Sequence, residues 1–200
     1  MLKIGITGNI GSGKTTVSKV FELLGIPVFY ADVHAKNVMT ADPELIASLM
    51  QTFGSAAYLP DGSLNRKYIA GIVFNNEVEL QKLNALVHPA VFRAFDSWAS
   101  QQNQAPYLLK EAALLFESGS NQACDFTIVV TAPTTMRINR VMQRDRISET
   151  EAESRNAKQM QEDDKIKLAN FTICNDNSKL VIPQVLALHE QFLAKASTLS

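Results

Sequence analysis

The stretch Gly8-Asn9-Ile10-Gly11-Ser12-Gly13-Lys14-Thr15 decides how this chain is read. It follows an apolar run carrying Leu2, Ile4 and Ile6, and it precedes Val17, Val20, Phe21 and Leu24, which recur at helical spacing. The pattern predicts a glycine-rich loop between a strand and a helix. Glycine at 8, 11 and 13 lets the backbone turn where a side chain would forbid it, so successive amide N–H groups converge on phosphate oxygens. The helix start adds its dipole. Lys14 brings a compact charge to the β- and γ-phosphates, the Thr15 hydroxyl is suited to ligate Mg²⁺, and Thr16 can add a further phosphate contact. With Gly11, Ser12 and Gly13, these residues form the expected nucleotide cradle.

The bulk composition fits a globular enzyme core. The 200 residues are 46% hydrophobic and 20% charged, with a formal net charge of −1. That balance argues against intrinsic disorder and against a nucleic-acid binder working through a broad basic face. No run approaches the length of a membrane span and no leader pattern opens the chain, so the expected location is cytoplasmic, with no membrane partner. Cys124 and Cys174 are the only cysteines. Their apolar surroundings favour buried thiols over a disulfide or a metal pair.

Outward from the loop, short apolar segments predict strands at Leu2–Thr7, Pro27–Tyr30, Tyr107–Lys110, Phe126–Thr131 and Phe171–Cys174, with helical patterns between them. The alternation gives an α/β protein with a parallel sheet and ligand sites at the carboxyl ends of its strands. Roughly 75 residues separate the second strand from the third, too many for a plain crossover. Pro43–Phe53, Asn65–Phe74, Glu77–Val87 and Pro89–Ser100 are the expected helices there. The division expected is a nucleotide-binding core over 1–30 and 106–200, with a helical, substrate-binding insert over 31–105.

A second long feature follows the fourth strand, where Arg137, Arg140, Arg144, Arg146 and Arg155 crowd into a polar stretch running to Asp164. Two readings stay open. The arginines could be a solvated helix face paired with Asp145, Glu149, Glu151 and Glu153, or a mobile lid over about 143–160 that brings guanidinium groups onto a transferring phosphoryl group and excludes water.

Four ordered stretches carry a closer resemblance. They are Thr7 to Thr16, Tyr30-Ala31-Asp32 at the second strand end, Leu83-Asn84-Ala85-Leu86-Val87-His88-Pro89 in the insert, and Leu114-Leu115-Phe116-Glu117 after the third strand. Together with Arg140 to Asp145, Arg155, Gln159 and Ile173-Cys174-Asn175, they resemble dephospho-coenzyme A kinases over nearly the whole chain. The resemblance implies a three-layer P-loop kinase fold with a five-stranded parallel sheet, a helical insert and an arginine-bearing lid. It implies transfer of the ATP γ-phosphoryl to the ribose 3′-hydroxyl of dephospho-coenzyme A, with Mg²⁺, as the final step of coenzyme A synthesis.

By the same resemblance, Asp32 orients and deprotonates the acceptor hydroxyl, with Lys14 and Arg144 as the other catalytic groups. Arg140 and Asn175 lie near the adenine of ATP, while Arg66, His88, Leu114 and Glu117 lie on the substrate side. Plainer readings stand beside these: Asp32 as a helix cap, Arg66 paired with Asp61, His88 as a structural histidine, and the leucines as core. Three positions depart from the family pattern, the first being Ala113, which stands before Leu114-Leu115 where a proline is usual. Tyr30 replaces the first acid of Asp-Ala-Asp, and Glu111 stands where an aspartate is usual, so the support of Mg²⁺ passes from the Tyr30 strand to Glu111 or to water. The rival functions are another small-molecule or nucleoside monophosphate kinase, and a nucleotide-dependent switch; no Asn-Lys-x-Asp guanine reader is present.

Overall fold

The computed structural model describes residues 1–74 and 76–198. The chain divides into two compact units, one of residues 1–30 with 102 onward and one of residues 31–101.

The first unit is built on a five-stranded parallel sheet. Its strands are β1 (Leu2–Thr7), β2 (Val28–Tyr30), β3 (Tyr107–Glu111), β4 (Phe126–Thr131) and β5 (Phe171–Cys174), in the spatial order β2-β3-β1-β4-β5. All pairings are parallel, with Ile6 opposite Glu111 and Thr7 opposite Val129. Parallel strands covered on both faces carry near-continuous apolar runs, and every residue of β3 is buried. The sheet places β1 at its centre, so the loop after β1 opens at the carboxyl edge where ligands bind such sheets.

Helices α1 (Lys14–Leu23) and α9 (Val181–Ser197) cover one face. Val17 and Phe21 of α1 and Val185, Leu188 and Phe192 of α9 join Ile4, Ile6, Leu109, Ile128 and Ile173 in one buried cluster. Phe192 meets Phe171 edge-on at 5.3 Å, and the buried Tyr107 hydroxyl is satisfied at 2.6 Å from His189 Nδ1. On the other side, α8 (Glu162–Leu168) packs on β4.

The expected strands recur to within a residue. β2 begins at Val28 rather than Pro27, and β3 runs one residue further, to Glu111. The polar stretch after β4 is helical, as its arginine spacing suggests. It forms α6 (Thr134–Asp145) and α7 (Glu149–Ala157) before α8. Both cysteines are free and half-buried, and burial pushes the Cys124 thiol up to about 11, which keeps it unreactive.

The described residues of the second unit form the α-helices α2 (Ala31–Ala41), α3 (Pro43–Phe53), α4 (Arg66–Val73) and α5 (Glu77–Ala99), with an isolated antiparallel bridge between Tyr58 and Leu64. Each boundary has a local cause. Asp42 accepts from Glu44 N–H and Leu45 N–H ahead of Pro43, Asn65 caps α4 through Tyr68 N–H, and Asn76 caps α5 through Glu79 N–H. Arg93 of α5 reaches the same Asp42 carboxylate at 2.8 Å and ties α3 to α5.

One expectation for this unit fails. The two helices expected over Glu77–Val87 and Pro89–Ser100 are a single helix that runs through Pro89. Proline removes a helical N–H and breaks most helices. Here Val87 before it and Ala90, Val91 and Phe95 after it are all buried, and α5 packs on α2, α3 and α4. Burial on both sides of the proline outweighs the lost hydrogen bond.

Candidate active site

The loop after β1 is held open by backbone geometry. Gly11 and Gly13 sit at φ 78° and 93°, in the left-handed region that side chains disfavour. A methyl group at Gly11 would strike the Arg137 carbonyl, and one at Gly13 would strike the Asn175 side-chain amide. Gly13 is the N-cap of α1 and brings no side chain to that end, so the first turn presents its amides to an anion.

Three cations face this cradle. Lys14, Arg140 and Arg144 line a cavity of about 350 Å³ together with Gly11, Gly13, Thr15 and Thr16. Lys14 Nζ donates to the Gly8 carbonyl at 2.9 Å, which lays its chain over the loop. Arg140 donates to the carbonyls of Gly11 at 3.4 Å and Asn175 at 3.0 Å, and the Asn175 amide donates to Ser12 at 2.8 Å. Arg140 and Asn175 therefore brace the loop against the end of β5. A pocket walled by a helix start and three cations suits a polyphosphate.

At the inner edge the Thr15 hydroxyl donates to Glu111 Oε1 at 3.1 Å. Glu111 is buried at the end of β3, opposite Tyr30 in the adjoining strand. Burial, followed by the nearby carboxylates of Glu22 and Glu111, drives the Tyr30 phenol well above its ordinary pKa. Tyr30 is thus a neutral neighbour of these acids. Among the described residues no three or more His, Cys, Asp or Glu side chains cluster as a self-sufficient metal cage. One hydroxyl backed by one carboxylate is instead the sparse oxygen set that suits Mg²⁺, which keeps several waters and shares phosphate oxygens.

The arginines expected in the lid separate into distinct environments. Arg144 pairs with Asp145 at 2.7 Å while 63% of its side chain stays exposed. Arg155 pairs with Asp145 and Glu151 at 3.1 and 3.0 Å, as a solvated face would. Arg137 is 2% exposed. It falls four residues before Val141 and so lies on the apolar stripe of α6 with Ile138, a spacing that signals burial in the sequence but was masked by the neighbouring charges.

The Leu114–Glu117 stretch also divides. Leu115 is wholly buried, whereas Leu114 is 39% exposed. Glu117 accepts from the buried Lys165 at 2.9 Å and from Met160 N–H at 2.9 Å. Lys165 carried no signal in sequence, because its charged neighbours made it look like another solvated residue.

In the helical unit, Asp32 is the second residue of α2 and is exposed. It lies inside the first turn, not at the cap position. Arg66 opens α4 and is exposed, while Asp61 accepts from Ser63 N–H and hydroxyl at 2.9 and 2.7 Å. His88 stacks on Phe92 at 6.5 Å, and burial lowers its pKa. A second cavity, of about 460 Å³, is lined by Asn65, Lys67, Tyr68, Gly71 and Ile72.

A phosphate cradle with a threonine–carboxylate pair is common to many nucleotide enzymes, and comparison with known proteins narrows the choice. The dephospho-CoA kinase family model matches residues 2–180. The chain belongs to the dephospho-CoA kinase family. It is 40% identical over 182 residues to a Salinibacter ruber protein of that name, covering 89% of this chain and 90% of the relative. A namesake from Bacteroides fragilis is 35% identical over 187 residues, covering 94% and 91%. The solved structure of a dephospho-CoA kinase from Campylobacter jejuni superposes with a TM-score of 0.69 at 25% identity, over 98% of both chains. Membership makes the chain a kinase. No helix among the described residues is long and apolar enough to cross a membrane.

Proposed function

We propose that this protein transfers the γ-phosphoryl group of ATP to the ribose 3′-hydroxyl of dephospho-coenzyme A, yielding coenzyme A and ADP. The observation that carries the reading is the cavity in which Lys14, Arg140 and Arg144 converge on the start of α1, in a chain of this family. Phosphoryl transfer passes through a loose transition state, so positioning and charge stabilisation do most of the work.

Each residue has a part in that work. The loop from Gly8 to Thr16 holds the triphosphate through its amides, and Lys14 neutralises the β- and γ-oxygens. Arg140 and Asn175 flank the nucleoside end. Arg144, the more exposed of the two lid arginines at the cavity, meets the charge that develops on the transferring group. Thr15, oriented by Glu111, would hold Mg²⁺, which would supply neutralisation of the phosphate charge.

Asp32 takes the acceptor proton as general base. Its place in the first turn of α2, exposed, leaves the carboxylate available for that task. Arg66, His88, Leu114 and Glu117 serve the coenzyme side, with Arg66 at the start of α4 suited to an acceptor phosphate.

An ADP-release assay with ATP and a panel of acceptors tests the reading. Turnover with dephospho-coenzyme A and none with AMP or shikimate is the expected result. Activity on AMP without activity on dephospho-coenzyme A would overturn it.

A further inference from the structure

The tip of the phosphate loop is bonded to a segment that no nucleotide role requires. Ile10 N–H donates to Gln159 Oε1 at 2.7 Å, and the Asn9 side-chain amide donates to the Met160 carbonyl at 3.0 Å. From the other side, Arg137 Nη1 lies 3.4 Å from the Ile10 carbonyl. Both backbone polar groups of Ile10 are thereby committed to residues about 130 to 150 positions away in sequence.

Arg137 is the centre of this arrangement. Its Nε donates to the Ala132 carbonyl at 2.9 Å, Nη1 to Asn156 Oδ1 at 2.6 Å and Nη2 to Thr134 Oγ1 at 3.0 Å, with Glu162 at 3.5 Å as counter-ion. Burial disfavours its charge and Glu162 only partly offsets that. A buried cation is costly unless its donors are used, and only a guanidinium can reach strand end, loop tip and lid helix from one position. Lysine would bring a single nitrogen.

The partner that matters most is Asn156. It lies in the last turn of α7, just ahead of Gln159 and Met160, and Met160 is fixed in turn by Glu117. The root of α7 thus cannot shift without loosening Ile10 on both its donor and its acceptor side. We propose that Arg137 is a positioning residue for phosphoryl transfer: through Asn156 and Ile10 it makes the shape of the phosphate loop depend on where helix α7 is seated. The inference rests on the loop being the ATP site, as above.

Asn156 is the position to change, because it is half-buried and outside the nucleotide pocket, so its variants fold more readily than those of Arg137. In the full-length protein, Asn156→Ala should weaken ATP binding measured by calorimetry, and raise KM for ATP, about tenfold, the scale of one hydrogen bond to a charged group. KM for dephospho-coenzyme A should stay within about twofold, since a tenfold loss confined to the donor is what separates positioning from general damage. Asn156→Asp, which keeps an acceptor oxygen, should restore ATP affinity to within about threefold of the parent. In an Arg137→Lys background, Asn156→Ala should cost nothing further, because the bond is already gone.

Unchanged ATP affinity in Asn156→Ala, an Asn156→Asp variant as weak as the alanine, or additive losses in the double variant would each overturn the proposal. ATP binding separates this from the assignment of function. A parent protein that binds ATP but phosphorylates no dephospho-coenzyme A would refute the substrate while leaving the coupling measurable.

Discussion

The Thr15 hydroxyl lies 3.1 Å from Glu111 Oε1, joining the first turn of α1 to the end of β3. The pair places a hydroxyl and a carboxylate at the inner edge of the loop, although 96 residues separate them in sequence. With Tyr30 in place of the family's first acid, the resemblance leaves the metal side to Glu111 or to water. The geometry favours Glu111, because Tyr30 offers only a phenol whose proton is held by burial.

Replacing Glu111 with glutamine keeps the size of the side chain and removes its charge. The Mg²⁺ concentration for half-maximal activity should rise about 10–100-fold, the range seen when a group orienting a metal ligand is lost. A Mg²⁺ titration at saturating ATP checks this. An unchanged titration midpoint would remove Glu111 from the metal side.

Asp32→Asn should lower kcat by about 10²–10⁴-fold while leaving KM for ATP near its parent value, since loss of a general base acts on chemistry rather than on donor binding. Steady-state kinetics with both substrates varied, beside a thermal melt, tests it. A fall in melting temperature with turnover preserved would instead assign Asp32 to the stability of α2.

Arg140 and Arg144 line one cavity but should fail differently. Arg140 is bonded to the Gly11 and Asn175 carbonyls, so Arg140→Ala should weaken ATP binding and lower the melting temperature together. Among the described residues Arg144 pairs with the adjacent Asp145, and it is largely exposed, so Arg144→Ala should slow turnover with little change in stability. Single-turnover kinetics with calorimetry of ATP binding separates the two.

His88 gives a pH signature. Burial lowers its pKa in the folded protein below the ordinary 6.5, so the unfolded chain takes up the proton first. The stabilising contribution of the neutral ring is complete above 6.5 and is lost as the pH falls through the lowered folded value. The melting temperature should therefore drop on acidification from pH 7.5 to 5.5 by less in His88→Gln than in the parent. Equal drops would show that His88 does not contribute.

Where chemistry was local, the sequence sufficed. The spacing of Gly8, Gly11, Gly13 and Lys14 after an apolar run dictates a phosphate loop, because left-handed glycines and a helix start are properties of a few adjacent residues. The short apolar runs likewise marked all five strands, since strands buried on both faces tolerate little else. The tertiary structure alone decided which polar residues are buried and whom they meet. Arg137, Arg144 and Arg155 look alike in a charged stretch, yet one is sealed beneath the loop tip and the others face solvent. Lys165 finds Glu117, Thr15 finds Glu111, and α5 continues through Pro89, each because packing between distant segments outweighs local preference. A charge can be read from one position; its partner and its burial depend on the whole chain.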